Sequence, residues 1–349
     1  MINEIHVRRD ALGTARLATR DDLPGAGQAS FAVEHFALTA NNVTYAAHGV
    51  DMRYWDFYPA PEGWGIVPVW GFARVVASRV EGLTEGDRFY GYWPMASGAV
   101  LTPSKVTTRG FRDVADQRGA LAGIYNSYTR VTPDMGDEAG YALFRPLYIT
   151  AFLIDAMLAG DGTATLILSS ASSKTALGLA QAARARPNGP RVIGLTSARN
   201  RAFTEATGNY DVVATYDEIG LLAIDGPATF VDFSGDMAVF GAVHTRVGAA
   251  LTASWIVGDT HWDSAEATGN LPGPRPQVFF APTVLEARFK EWGPAGFEQR
   301  LSASWTRFVA STAPWLRVVE GHGGEAAIAA FKRLVAGDVD PAEGLILSI

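Results

Sequence analysis

A chain of 349 residues with 48% hydrophobic and 19% charged residues reads as globular, long enough for two domains or one large one. Its formal net charge of −7 and the lack of a basic block argue against nucleic acid as a partner. Cysteine is absent, which removes disulfides, thiol nucleophiles and every zinc site built on thiolates.

The opening "MINEIHVRRD" carries no apolar signal segment, and no apolar run reaches membrane-spanning length, so a cytoplasmic protein without membrane contact is expected. The first third reads as strands and turns. "SFAVEHFALT" alternates apolar and polar residues and is followed by the turn-like "ANN". "PVWGFARVVAS" and "RFYGYW" are two further strands, separated by the turn signals of "EGLTEGD". From about residue 146 strand and helix patterns alternate. "TATLILSS", "RVIGLTS", "DVVATY", "ATFVDFSG", "AALTASWIVG" and "RPQVFFAP" read as strands, with helices "SKTALGLAQAARAR" and "ARNRAFTEATG" between the early ones and a short helix before the fifth. That alternation predicts a doubly wound parallel sheet, an α/β fold. Residues 283–312 are helical and aromatic, "GEAAIAAFKRLVAG" is a helix stopped at Gly337, and "GLILSI" is a closing strand.

The stretch "SSASSKTALG" follows the first buried strand of that alternation, where a nucleotide-binding fold places its phosphate loop. Such a loop needs small residues for its tight turn and for close approach to a pyrophosphate. Here Ser170, Ala171, Ser172, Ser173, Lys174, Thr175 and Ala176 stand against a pattern of the type G-A-S-G-G-V-G, with Ser or Ala at its glycine positions except one, which holds Lys174. Serine hydroxyls donate to phosphate, and a lysine at a helix N-terminus adds positive charge. The "SKT" ending also has the form of a P-loop, but Leu168 and Ser173 replace both of its glycines. A dinucleotide site and a strand–helix turn that binds nothing both remain open on this pattern.

The sequence as a whole resembles the medium-chain dehydrogenase/reductase superfamily across nearly its full length. The resemblance rests on "ALTANNVTYAAHG", "VPVWGFARVVASRVEGLTEGDRFYG", "RPLYITAFLIDAML", "VDFSGD" and "AAFKRLVAGDVDPAEGLILSI" in that order. "FFAPTVLEARFKEWGPAGFEQR" is similar instead to a branch known only as a domain of unknown function. The resemblance implies a GroES-like β-rich domain over residues 1–146, to which 315–349 return, and a Rossmann domain over 147–314. It also implies pairing into a homodimer through the edge of the Rossmann sheet. The zinc enzymes of the superfamily hold their metal with Cys, His and Glu, and those cysteines are missing, so no metal is expected. The zinc-independent quinone and enoyl reductases remain, which pass hydride from NADPH to a conjugated alkene or quinone.

The second strand ends "GLTSARNR", without the acid that holds the ribose 2′-hydroxyl of NAD. Thr196, Ser197, Arg199 and Arg201 suit a 2′-phosphate instead, which favours NADP(H) as cofactor. The resemblance sets Thr150 beside the nicotinamide. Tyr45 is a candidate proton donor or a strand anchor, and Asn42 a substrate-orienting residue or a turn brace. His261, after the fifth strand, is a candidate acid or a surface histidine. Tyr148 reads as core packing or cleft lining, and Trp262, Trp292, Phe279 and Phe280 as an apolar, aromatic small-molecule cleft or as core. Two function classes follow: an NADPH-dependent reductase of an activated C=C or C=O with Tyr45 or water as acid, and a non-redox binding or regulatory protein on a degenerate Rossmann scaffold.

Overall fold

The computed structural model describes residues 1–257 and 271–349; His261 and Trp262 lie outside them. Two compact units are present. The first comprises Met1–Leu143 and Arg317–Ile349, the second Phe144–Leu316.

The first unit is β-rich. β1 (Ile2–Arg8) and β2 (Ala11–Arg20) form an antiparallel hairpin that β4 (Trp64–Gly65) extends. β3 (Ala29–Leu38), β5 (Pro68–Ser78) and β6 (Arg88–Pro94) form the centre of a larger sheet. β7 (Gly98–Leu101) pairs with β3, and β8 (Pro103–Thr107), β9 (Gly110–Asp113) and β10 (Ser127–Arg130) continue the sheet beyond β6. α1 (Ala40–Ala47) occupies the "ANN" stretch read as a turn. Asn42 explains the difference: its side-chain oxygen accepts the Thr39 N–H at 2.8 Å, closing a capping box that starts a helix.

α2 (Glu138–Leu158) begins in the first unit and continues into the second. Against the sequence reading, it is long and apolar enough to cross a membrane by length and composition, with a mean hydropathy of 1.3. More than half of that stretch is buried inside the protein, where Tyr148, Ala151, Phe152 and Ile154 form a core-facing side.

In the second unit β11 (Thr165–Leu168), β12 (Arg191–Thr196), β13 (Val212–Thr215), β14 (Ala228–Asp232), β15 (Leu251–Ile256) and β16 (Gln277–Val278) make one parallel sheet. Its order is β13-β12-β11-β14-β15-β16, so the chain reverses direction across the sheet between β11 and β14. The sixth strand is only two residues long, because helix α6 starts at Ala281 within the stretch read as a strand. α3 (Lys174–Arg184), α4 (Arg201–Ala206) and α5 (Met237–Val247) follow β11, β12 and β14 in the chain. α6 (Ala281–Thr312) is broken at Gly293, whose φ of 68° and ψ of 163° leave the helical region just before Pro294. The chain then returns to the first unit through β17 (Arg317–His322), α7 (Gly324–Val335) and β18 (Glu343–Ser348). β18 pairs antiparallel with β3 and parallel with β17. The chain thus holds a GroES-like β-rich unit and a Rossmann unit.

His244 braces the second unit. Its Nδ1 donates to the Pro272 carbonyl at 2.8 Å, which leaves Nε2 to accept from the Ser254 hydroxyl at 2.9 Å. Burial holds its pKa below the usual histidine value. Below about pH 6.5 the unfolded chain takes up a proton that the folded chain refuses, so stability falls as pH falls. A His244→Leu variant should lose roughly 1–3 kcal/mol at pH 8 and show less of this acid-side decline, measured as melting temperature against pH.

Candidate functional site

The reversal between β11 and β14 sets the C-terminal ends of these strands at the position where open parallel sheets bind ligands. Asp232, the last residue of β14, is buried there, and its carboxylate gathers donors. The Ser169 hydroxyl donates to it at 2.5 Å and the Ser234 hydroxyl at 2.6 Å, while the Ser234 and Gly235 N–H groups donate at 3.1 Å. Ser169 in turn accepts the Phe233 N–H at 2.7 Å. One serine therefore joins the ends of both strands.

The loop leaves this joint through Ser170, whose φ of 45° is left-handed. A residue with a Cβ is uncommon there, and its neighbours fix it in place. The Ser170 N–H donates to the Tyr216 hydroxyl at 3.2 Å, and the Ser170 carbonyl accepts the Ser173 N–H at 2.7 Å. Ala171 donates its N–H to the Leu195 carbonyl at 2.9 Å, and its own carbonyl accepts the Tyr210 hydroxyl at 2.7 Å. The Ser172 hydroxyl accepts from Asn200 at 3.0 Å. Ser173 is the N-cap of α3, its hydroxyl accepting the Ala176 N–H at 3.3 Å. Lys174 and Thr175 are the first two residues of that helix, at the positive end of its dipole.

At the end of β12, Thr196 is buried and Ser197 precedes the short turn Ala198–Asn200 that contains Arg199. Arg201 is committed locally. Its guanidinium donates to Glu205 at 2.9 Å and to both oxygens of Glu218 at 2.8 and 2.9 Å, which raises its pKa. Ser170, Ser172, Ser173, Lys174 and Thr175 thus share one turn, and Asn200 links that turn to the Ser197 and Arg199 segment. Tyr216, Asn200, Ser169 and Asp232 were not singled out in the sequence. All but Ser169 stand at or just past the C-terminal ends of β12, β13 and β14, and Ser169 directly follows β11. That position is the signal that could have found them.

Thr150 is half-buried on α2. Tyr148 is core: it stacks on Phe308 at 4.6 Å and its hydroxyl meets that of Ser304 at 2.6 Å, and burial pushes its pKa up to about 12. The residues read as an aromatic cleft have separate surroundings. Phe279 is buried, Phe280 is exposed, and Trp292 lies near the guanidinium groups of Arg288 and Arg300 at 5.4 and 4.8 Å.

In the first unit Asn42 uses both ends of its amide on backbone, accepting from Thr39 and donating to the Pro68 carbonyl at 3.0 Å. Tyr45, one turn along α1, is buried and its hydroxyl accepts the Trp70 indole N–H at 3.2 Å. Burial raises its pKa well above the usual phenol value.

Residues 36–340 match the model of a family described as a protein of unknown function, DUF2855. The chain belongs to this family. No curated protein matches it in sequence. Among solved structures it is similar to CurA from Vibrio vulnificus, with a TM-score of 0.66 and 16% identity over 100% of this chain and 98% of that one. CurA in complex with NADPH, also from Vibrio vulnificus, gives 0.65 and 16% over 99% and 98%. The CurK enoyl reductase gives 0.58 and 14% over 99% of each chain. At such identities the likeness is one of fold.

With a side chain at φ 45°, Ser170 carries a cost that glycine would not. Ser170→Gly should therefore raise stability by about 0.5–1 kcal/mol, seen as a small rise in melting temperature. Ser170→Val, β-branched at the same backbone angle, should lower it by more.

Proposed function

We propose that the chain is an NADPH-dependent reductase that transfers hydride to an activated C=C or C=O without zinc. The observation that carries this reading is the edge of the parallel sheet. The β11–α3 turn is fixed by Ser169 and Asp232 and presents hydroxyls, a lysine and a helix N-terminus, while the end of β12 carries no carboxylate. That donor set fits an anionic dinucleotide. Ser172, Ser173 and Lys174 would hold the pyrophosphate. Ser197 and Arg199 would hold the 2′-phosphate, with Arg201 reaching it only by leaving Glu205 and Glu218. Thr150 would stand beside the nicotinamide, whose chemistry when bound is hydride transfer. Support comes from the fold shared with CurA, which has been solved with NADPH, and with the CurK enoyl reductase. Tyr45 is the proposed source of the proton.

A second reading has its own observation. Side chains stand where glycines would let a pyrophosphate approach, and the Ser170 N–H already meets the Tyr216 hydroxyl. A non-redox binding or regulatory protein on a degenerate Rossmann scaffold would look the same at this loop.

Titration with NADPH and NADH, followed by quenching of tryptophan fluorescence, decides between the two. Tighter binding of NADPH is expected. Arg199→Ala should weaken NADPH by about 1–3 kcal/mol and spare NADH. Lys174→Glu should weaken NADPH binding with little change in melting temperature. Failure of both nicotinamides to bind at millimolar concentration would leave the scaffold reading. Elemental analysis of dialysed protein is expected to find no stoichiometric zinc, since the chain has no thiolate to offer.

A further inference from the structure

In the first unit, β17, β18 and β3 carry a cavity on the face turned away from the core. Alternation along β18 sends Leu345 and Leu347 into the core and leaves Ile346 and Ser348 on the other side. Directly opposed residues share a face, so β17 adds Glu320 beside Ile346 and His322 beside Ser348. On β3, Phe36 stands opposite Leu347, and the next residue along the same pairing is His35. Glu138 and Ala139, at the start of α2, complete the lining of a cavity of about 350 Å³, enough for a small organic molecule. None of its lining residues belongs to the β11–α3 loop, the end of β12 or α1.

The groups around this cavity are short of positive charge. Glu34, Glu138 and Glu320 bring carboxylates to it, and no lysine or arginine is among its lining residues. From outside the lining, Arg88 joins Glu34 at 2.6 Å and Glu138 at 2.7 Å, and Arg74 reaches Glu34 at 3.5 Å. These two arginines balance Glu34 and Glu138. His35 Nε2 lies 3.3 Å from Glu138, but its ring stacks on Phe72 at 5.0 Å and burial holds its pKa below the usual histidine value. It therefore brings no charge at neutral pH. The Glu320 carboxylate, exposed on the edge strand, makes no ion pair or hydrogen bond among the described residues. His322 meets the Ser348 hydroxyl through Nδ1 at 2.9 Å, which leaves its Nε2 for another group. The backbone offers an anion nothing: the Ala139 and Gly140 N–H groups donate to the Asp137 carboxylate at 3.2 and 2.8 Å, and the Tyr141 N–H to the Asp137 carbonyl at 2.9 Å.

We propose that this cavity is a binding site for an organic monocation, a primary ammonium on a compact apolar body. The ammonium donates to the Glu320 carboxylate and to His322 Nε2, and the body rests on Ile346 and Ala139. An ammonium has only donors, and both of these partners can accept once Nδ1 of His322 donates to Ser348. A bare inorganic cation would leave the apolar floor uncovered, and an anion would meet three carboxylates with no free N–H to hold it. The site is independent of the reductase reading, because it uses none of the residues that reading assigns.

The test is titration of the whole chain at neutral pH with cyclohexylammonium, cyclohexanol and cyclohexanecarboxylate, followed by the imidazole proton resonances of its histidines. Cyclohexylammonium should bind and shift two of these resonances, which His322→Ala and His35→Ala assign. Cyclohexanol should bind more weakly and the carboxylate not at all. Glu320→Gln, on an exposed side chain, should weaken the ammonium by about 2–5-fold, the value of an exposed ion pair, and leave cyclohexanol unchanged. Ala139→Leu, which fills the cavity and suits a helix, should abolish binding of both. Equal affinity for the ammonium and the alcohol, an unchanged affinity in Glu320→Gln, or no binding of cyclohexylammonium at millimolar concentration overturns the site. Circular dichroism shows whether Ala139→Leu folds, and if it does not, Glu320→Gln decides alone. Binding of cyclohexylammonium by a protein that binds no nicotinamide would leave this site standing and the reductase reading fallen.

Discussion

The C-terminal edge of the parallel sheet hangs on the carboxylate of Asp232. An acceptor-only group, buried and met by the Ser169 and Ser234 hydroxyls and the Ser234 and Gly235 amides, has one orientation open to it. Because Ser169 also accepts from Phe233, the ends of β11 and β14 cannot separate without leaving polar groups stranded. The loop to α3 therefore starts from a fixed point. A left-handed serine is tolerated immediately after it because the neighbouring hydrogen bonds leave the backbone no alternative.

The need for glycine has not vanished from this region; it lies on the flanks of the loop. A Cβ on Gly194 in β12 would stand 2.7 Å from the Tyr210 ring and 2.9 Å from the Ala171 Cβ, so this position must stay bare for Tyr210 to reach the Ala171 carbonyl. On α3, a Cβ at Gly178 would meet Tyr148 at 3.0 Å and Ala151 at 3.2 Å, which is how closely α3 approaches α2. Close packing around the turn is preserved, while the turn itself carries hydroxyls. Such a loop offers an anion side-chain donors in addition to the helix N-terminus, at the expense of how near a phosphate can come.

Much of the architecture was legible because the governing signals are local. The β-rich run "PVWGFARVVAS" has the bounds of β5 residue for residue, and the buried run "TLIL" is β11. β2 and β17 passed unread because their largely exposed faces dilute the alternation. α1 was read as a turn because Asn is a turn former in isolation, whereas here its side chain caps a helix. For the site, the serines and Lys174 could be placed from spacing alone. What they touch could not: Tyr216 and Asn200 come to the loop only through strand order, and the meeting of Tyr45 with Trp70 depends on strand β5 packing beside α1. The same limit applies to Arg201, whose charge was visible but whose pairing with Glu218, beyond the next strand, was not.

The division of the first unit between both ends of the chain sets an order of events during synthesis. The second unit is one unbroken stretch, Phe144–Leu316, and has all of its own strands once residue 316 has left the ribosome. The first unit does not. The Phe36–Leu38 end of β3 takes its neighbour from β18, at residues 345–347. α7, whose Ile328 and Phe331 enter the same core, also arrives late. The Phe36–Leu38 end of β3 thus stays an open, apolar sheet edge until residues 345–347 have been made, which is the interval in which another copy's strand could pair there instead.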